Sequence, residues 1–312
     1  MFPQFVWSEK YTVDMGDHIF PVTKYQRLRD AAIAQGILWE EDFVEPKPAS
    51  HECLLRVHRT DYLRRLERLA LTPEGMVNGE NPVSSEILYA ATLCCGGTYD
   101  ACRTALVHRF GMNLGGGFHH AFPDHEEGFC LLNDVAVAIK ALQAKGSVQR
   151  VMVVDCDVHQ GNGTAKIFEG DQDVYTFSIH DEYNYPVKER SDWDIGLIHL
   201  ERIDDGKYLD ALEILPTLLD RFNPELVLYL AGADPYEGDV LGGFLLTKEG
   251  LKIRDEYVLG SVWERGIPAA VVLSGGYAES MEDTVEIHLN TVRVVKKLID
   301  RNVGDRIGTS HR

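Results

Sequence analysis

The segment Asp155-Cys156-Asp157-Val158-His159 sets two carboxylates and an imidazole at alternate positions. Alternate side chains of an extended chain share a face. Asp157 and His159 can therefore reach one cation together, with Asp155 on the same side. A carboxylate and an imidazole suit a borderline divalent ion such as Zn²⁺. The natural third ligand is Asp234, in the stretch "AGADPYEGD". Two Asp and one His leave coordination positions open to water and substrate, which marks a catalytic rather than a structural centre.

His119 and His120 follow the run Gly115-Gly116-Gly117, one residue on. Glycine lets a backbone bend tightly and approach closely, so both rings could face a water activated by the ion. One neutral imidazole can take the water's proton. The other can donate a hydrogen bond or hold positive charge beside a developing oxyanion. Each ring needs a partner to fix its tautomer, and Asp155 and Asn162 are the candidates. Tyr277 follows Ser274-Gly275-Gly276, and its hydroxyl could donate to a substrate carbonyl. Taken singly, these residues have ordinary readings: a helix cap, a buried histidine, a half-buried tyrosine. Together they suit hydrolysis of an unactivated acyl bond. There is no Gly-x-Ser-x-Gly turn and no GxxxxGK[ST] phosphate loop, so neither a serine nucleophile nor a nucleotide is suggested.

The elements around these residues explain how they could meet. Apolar runs predict strands at 111–114, 151–155, 174–179, 226–231 and 269–274. Their continuous apolar character fits strands covered on both faces. Helical patterns fill 23–35, 59–70, 86–109, 131–145, 206–222, 247–265 and 281–301. This alternation predicts an α/β fold with a mostly parallel sheet and helices on both sides. In such sheets ligands bind beyond the carboxyl ends of the strands, where the His, Asp, Tyr and Gly residues lie. No linker or repeat interrupts the chain, so residues 1–312 are expected to form one catalytic domain.

The net charge of −18 at pH 7 argues against nucleic-acid or anionic-membrane partners. It is compatible with a cationic substrate such as a lysine peptide or a polyamine. The six cysteines form no CxxC pair and read as reduced thiols. No signal peptide or apolar run of membrane-spanning length is evident, so a cytoplasmic location is expected.

The blocks "GGGFHHAFPDHEEGFCLLND", "VVDCDVHQGNG", "FSIH", "AGADPYEGDVLGG" and "LSGGY" resemble the signature blocks of the zinc-dependent histone deacetylase family. Phe20, Pro21, Lys24 and Tyr25 resemble the opening of its bacterial, class IV-like members. The resemblance implies the open, mainly parallel eight-stranded sheet shared with arginase. It implies that Asp157, His159 and Asp234 bind zinc, with Fe²⁺ as a possible substitute. His120 would be the general base and later acid. His119, held by Asp155, would assist electrostatically, and Tyr277 would polarise the carbonyl. Gly128 and Phe129 resemble one wall of an acyl-lysine channel, and Tyr185 sits where a second aromatic wall lies. Potassium would be held by Asp155, Ser178 and the carbonyls of Asp157, His159 and Ile179. Asn162 departs from the family's common Asp, which removes a charge beside His120.

The implied substrate is an acylated lysine. Acetylpolyamine hydrolases share the motif set, but the position that guards the channel mouth is Leu241, which is apolar and favours acyl-lysine or an acyl chain longer than acetyl. A haloacid-dehalogenase-type phosphatase would need a different residue at His159. A binuclear manganese site would need a second ligand set. An acyl-lysine binder without catalysis would not need every catalytic position filled.

Overall fold

Val151–Asp155, Leu226–Leu230 and Ala269–Val272 are buried along their whole length, as strands covered by helices on both faces must be. The computed structural model describes residues 4–72, 76–77 and 81–309. Its main sheet has eight strands, in the order β2-β1-β5-β10-β9-β6-β7-β8. They are β1 (Phe5–Val6), β2 (Phe43–Val44), β5 (Phe110–Asn113), β6 (Val151–Asp155), β7 (Val174–Asp181), β8 (Trp193–Leu197), β9 (Leu226–Leu230) and β10 (Ala269–Val272). Every pairing in it is parallel. Two further strands, β3 (Met76–Val77) and β4 (Asn81–Pro82), form a separate antiparallel pair.

The period of two along each strand divides the core into two layers. Val151, Val153, Leu226, Leu228, Ala270 and Val272 face α4 (Ser85–His108) and α5 (Asp134–Ala144). Met152, Val154, Val227, Tyr229 and Val271 face the opposite layer. There they pack with α1 (Lys24–Ala34), α8 (Leu215–Phe222), α9 (Lys248–Glu264) and α10 (Met281–Thr309).

All five predicted strands are present, with ends shifted by up to two residues. β1 and β2 escape the pattern because each is two residues long. β8 escapes because it is a largely exposed edge strand. The predicted helix 206–222 is two helices, α7 (Asp205–Leu212) and α8. Pro216 is the cause: its ring cannot sit against the carbonyl of Leu212, and it opens a new helix instead. The predicted helix 131–145 starts later because the Asn133 side chain caps α5, accepting from the Ala136 N–H at 2.9 Å.

That cap also shapes the histidine loop. The Asn133 amide donates to the carbonyls of His119 (3.4 Å) and Ala121 (3.2 Å). Behind it, between α2 (His51–Leu54) and α3 (Thr60–Ala70), lies buried His58. Its Nε2 accepts the Asn133 N–H at 3.1 Å, and its Nδ1 donates to the Phe122 carbonyl at 3.0 Å. This pair of partners requires a neutral ring. Burial depresses the His58 pKa from 6.5 to about 4, outweighing the Phe122 carbonyl. The unfolded chain therefore binds this proton first. Stability from this site is constant above pH 6.5 and falls by about 3 kcal/mol as pH drops towards 4. His58→Gln keeps a donor and an acceptor but no titration. Its melting temperature should fall less steeply between pH 6.5 and 4.5 than that of the unaltered protein, and parallel curves would refute the assignment.

Candidate active site

β5, β10, β9, β6 and β7 are consecutive neighbours in the sheet. Their carboxyl ends therefore deliver the predicted residues to one edge. Asp157, His159 and Asp234 are buried, and one ligand atom from each lies within 4.8 Å of the others. His159 Nδ1 is 3.2 Å from Asp157 Oδ1 and 3.3 Å from Asp234 Oδ2. The outward oxygens are already held. Asp234 Oδ1 accepts the Val158 N–H at 2.9 Å. Asp157 Oδ2 accepts from Ser274 Oγ and the Gly275 N–H, both at 2.7 Å. The inward Asp234 Oδ2 makes no well-formed hydrogen bond and meets only the His159 ring, at 3.3 Å, a state buried carboxylates avoid unless a cation meets them. A Cβ at Gly275 would stand 1.9 Å from that oxygen, so the close approach requires glycine.

The electrostatics agree with a cation site. Burial, and then the Asp157 charge, pushes Asp234 up to about 7. His159 rises to about 10, because the Asp157 and Asp234 carboxylates outweigh its burial. An Asp-His-Asp set of this kind fits the oxygen and nitrogen ligands of Zn²⁺.

Beside it, the two loop histidines have opposite states. His119 Nδ1 donates to Asp155 Oδ2 at 2.7 Å. Burial opposes its charge, but Asp155 and then Asp157 raise its pKa to about 9. His120 Nδ1 donates to Asn162 Oδ1 at 2.8 Å. Burial, followed by the charges of His119 and His159, holds its pKa well below 6.5. The two rings are thus pushed in opposite directions, His119 towards its charged form and His120 towards its neutral form. Gly116 and Gly117 adopt φ of 74° and 87° to make the turn. A Cβ at Gly117 would lie 2.7 Å from Ser274 Cα. The Asp134 carboxylate holds this turn by accepting the N–H groups of Gly117 and Phe118.

The remaining predicted residues lie around this centre. Tyr277 lines the same small cavity as His119, His120, Asp157 and His159. Burial, then Asp157, raises its phenol well above 10, so it remains an O–H donor. Phe129 packs its ring 6.0 Å from Tyr277. The Tyr185 ring lies 5.3 Å from His120 and 6.2 Å from His159. Gly128 adopts φ 53°, and a Cβ there would reach 2.3 Å from His120 Cδ2. The Leu241 carbonyl accepts from Asn184 Nδ2 at 2.8 Å, next to Tyr185. Asp155 and Ser178 are register partners across β6 and β7, where Ile179 follows. Ser178 Oγ sits 2.9 Å from His180 Nδ1.

The histone deacetylase domain matches residues 18–292. This chain belongs to the histone deacetylase family. Histone deacetylase 2 of Arabidopsis thaliana is 33% identical over 88% of this chain and 74% of its own length. The histone deacetylase-like amidohydrolase of Pseudomonas aeruginosa is 30% identical over 83% of this chain and 72% of its own. The crystal structure of a histone deacetylase homologue complexed with SAHA superposes with a TM-score of 0.80. At 24% identity, covering 94% of this chain and 84% of the other, that likeness concerns the fold.

Three deacetylase residues carried no role in the sequence reading. Arg254 of α9 is fully buried. It donates to the carbonyls of Cys156 (3.2 Å) and Gly232 (2.6 Å), gripping the turns just before Asp157 and Asp234. Nothing in its spacing signals this, because it reaches the loops from a helix remote in sequence. Lys24 Nζ donates to the Ser274 carbonyl at 2.7 Å. Its pKa falls to about 8 through burial, partly offset by Asp234 and Asp157. Glu127 stands within the block "DHEEGFC". Its Oε1 accepts from Asn162 Nδ2 at 2.7 Å and from Tyr185 Oη at 3.2 Å.

Proposed function

We propose that this deacetylase-family protein hydrolyses the side-chain amide of acylated lysine, with His120 as base. The observation that carries this reading is the paired histidines, His119 on the Asp155 carboxylate and His120 on the Asn162 carbonyl, next to a buried Asp-His-Asp cluster. A divalent ion on Asp157, His159 and Asp234, zinc or iron(II), would polarise the acyl carbonyl and acidify a water. His120 accepts that water's proton at Nε2. Its Nδ1 keeps its own proton, donated to Asn162 Oδ1, so no second proton must move. The same ring then returns a proton to the departing lysine amine as the amide C–N bond breaks. His119, charged against Asp155, faces the developing negative oxygen. Tyr277 donates its hydroxyl to the same oxygen. Phe129 and Tyr185 line the channel that admits the aliphatic lysine stem, with Gly128 keeping the path beside His120 clear. Leu241 at the rim offers no carboxylate to a polyamine, which favours a lysine side chain over acetylspermidine.

Residues 1–312 act here as one catalytic domain. Potassium would rest on Asp155, Ser178 and the carbonyls of Asp157, His159 and Ile179, as a structural ion. Among the described residues no helix is long and apolar enough to cross a membrane, and we place the enzyme in the cytoplasm. No nucleic acid or membrane partner enters this reading.

The test is a substrate panel run with and without chelator. It contains acetyl-lysine peptide, longer acyl-lysine peptides and acetylspermidine. An acyl-lysine peptide should exceed acetylspermidine in kcat/KM by at least about 10-fold. Chelation should abolish turnover and added Zn²⁺ should restore it. Preference for acetylspermidine would move the substrate to small amines, and turnover indifferent to chelator would remove the metal from the reaction.

A further inference from the structure

Asn162 can face His120 in two ways, with its oxygen or with its amino group. Only the first leaves His120 able to act as a base. A carboxylate accepts hydrogen bonds and never donates them. Glu127 Oε1, 2.7 Å from Asn162 Nδ2, therefore requires the amino group on its side. The Val187 carbonyl, at 3.5 Å, favours the same orientation more weakly. Asn162 Oδ1 is then turned to His120 Nδ1 at 2.8 Å and to the Gly163 N–H at 3.0 Å. An acceptor at Nδ1 places the His120 proton there and leaves Nε2 unprotonated, 3.1 Å from His119 Nε2. The flipped amide would set two oxygens against each other at the Glu127 contact. It would also set its amino group against the Gly163 N–H.

We infer that Glu127 is a positioning residue: its carboxylate orients the Asn162 amide and so fixes the tautomer of His120. The inference rests on the proposed role of His120 as base. It explains how an asparagine, whose two ends differ, serves where an aspartate would need no orientation. Tyr185 Oη shares the same Glu127 oxygen at 3.2 Å, so one carboxylate ties a channel wall to the base. His125 Nε2 lies 3.6 Å from the other oxygen.

The experiment compares Glu127→Gln, Asn162→Asp and the double variant. Two readouts are taken: kcat and KM on an acetyl-lysine peptide, and the ¹⁵N spectrum of the His120 ring. Glu127→Gln removes the constraint, since a glutamine can present either end. It should lower kcat about 10-fold with KM changed much less, and add the Nε2–H tautomer to the His120 spectrum. Asn162→Asp sets two carboxylates in contact and should lose a similar factor. The double variant restores one donor and one acceptor in exchanged places. It should return kcat to within about threefold of the unaltered enzyme and restore the single Nδ1–H tautomer. Losses in the double variant that multiply those of the singles would overturn the inference. So would a Glu127→Gln enzyme with an unchanged tautomer and kcat. If a single variant fails to fold, a folded and active double variant still supports the coupling. The ¹⁵N spectrum needs no turnover. A tautomer that shifts and returns in a protein inactive on acyl-lysine would retain this inference while rejecting the deacylase reading.

Discussion

Replacing His120 by alanine should lower kcat on an acetyl-lysine peptide about 10³-fold, within the usual range for loss of a general base. KM should change little, because in the proposed reaction the ring acts on the water rather than on the substrate stem. Metal content should stay as it was, since the three candidate ligands are elsewhere. The expectation follows from the division between the histidines. His119 cannot substitute, because Asp155 keeps it charged and hence without a free lone pair near neutrality. His119→Ala should be the milder change, on the order of 10-fold to 10²-fold, because it leaves a neutral base in place. The order of the two variants is the informative result. A His119 variant more impaired than the His120 variant would reverse the assignment of base and electrostatic partner. A His120 variant retaining a tenth or more of its kcat would remove the base altogether.

Asp234→Asn should act in opposite directions on activity and on metal-free stability. With the anionic ligand gone, zinc should wash out under mild chelation that leaves the unaltered protein loaded. The kcat/KM should then fall on the order of 10³-fold. Without metal, the same change should raise the melting temperature above pH 7. Burial and the Asp157 charge push the Asp234 carboxyl up to about 7, so ionising it in the fold is costly. Its raised pKa means the unfolded chain gives up this proton first, and stability falls as pH rises from the unfolded value towards 7. An amide escapes that penalty while its oxygen can still accept the Val158 N–H. Calorimetry of the chelated proteins at pH 8 gives the comparison. A metal-free variant that melts below the unaltered protein would contradict this expectation and show that the lost attraction to His159 outweighs the relieved Asp157–Asp234 repulsion.

Much of this geometry could be read from the chain before folding. Asp157 and His159 share a face because they are alternate residues leaving a strand, and Asp234 joins them because β9 is the neighbour of β6. The shared carboxyl edge follows from the pattern of a parallel sheet, whereas the adjacency of β9 and β6 comes from the strand order of the fold. The run Gly115-Gly116-Gly117 announced His119 and His120, although the opposite shifts of the two rings depend on burial and on Asp155. Pro216 was visible in the sequence, and its ring chemistry accounts for the break between α7 and α8. The two-residue strands β1 and β2 left no periodic trace. Arg254 and Glu127 stayed hidden for a different reason. Each acts by holding another residue across a long sequence separation, and no local spacing encodes such a contact. The structure brings Glu127 to Asn162 through the loop that follows the paired histidines.

The convergence of Asp157, His159 and Asp234 on one ion is tested most directly by anomalous diffraction at the zinc edge. Crystals equilibrated with Zn²⁺ should give a single strong peak in this pocket. All three side chains should lie about 2.0–2.2 Å from it, as zinc bonds to carboxylate oxygen and imidazole nitrogen require. A peak elsewhere, or one that leaves any of the three beyond bonding distance, would contradict the shared-ion site and the hydrolytic chemistry built upon it.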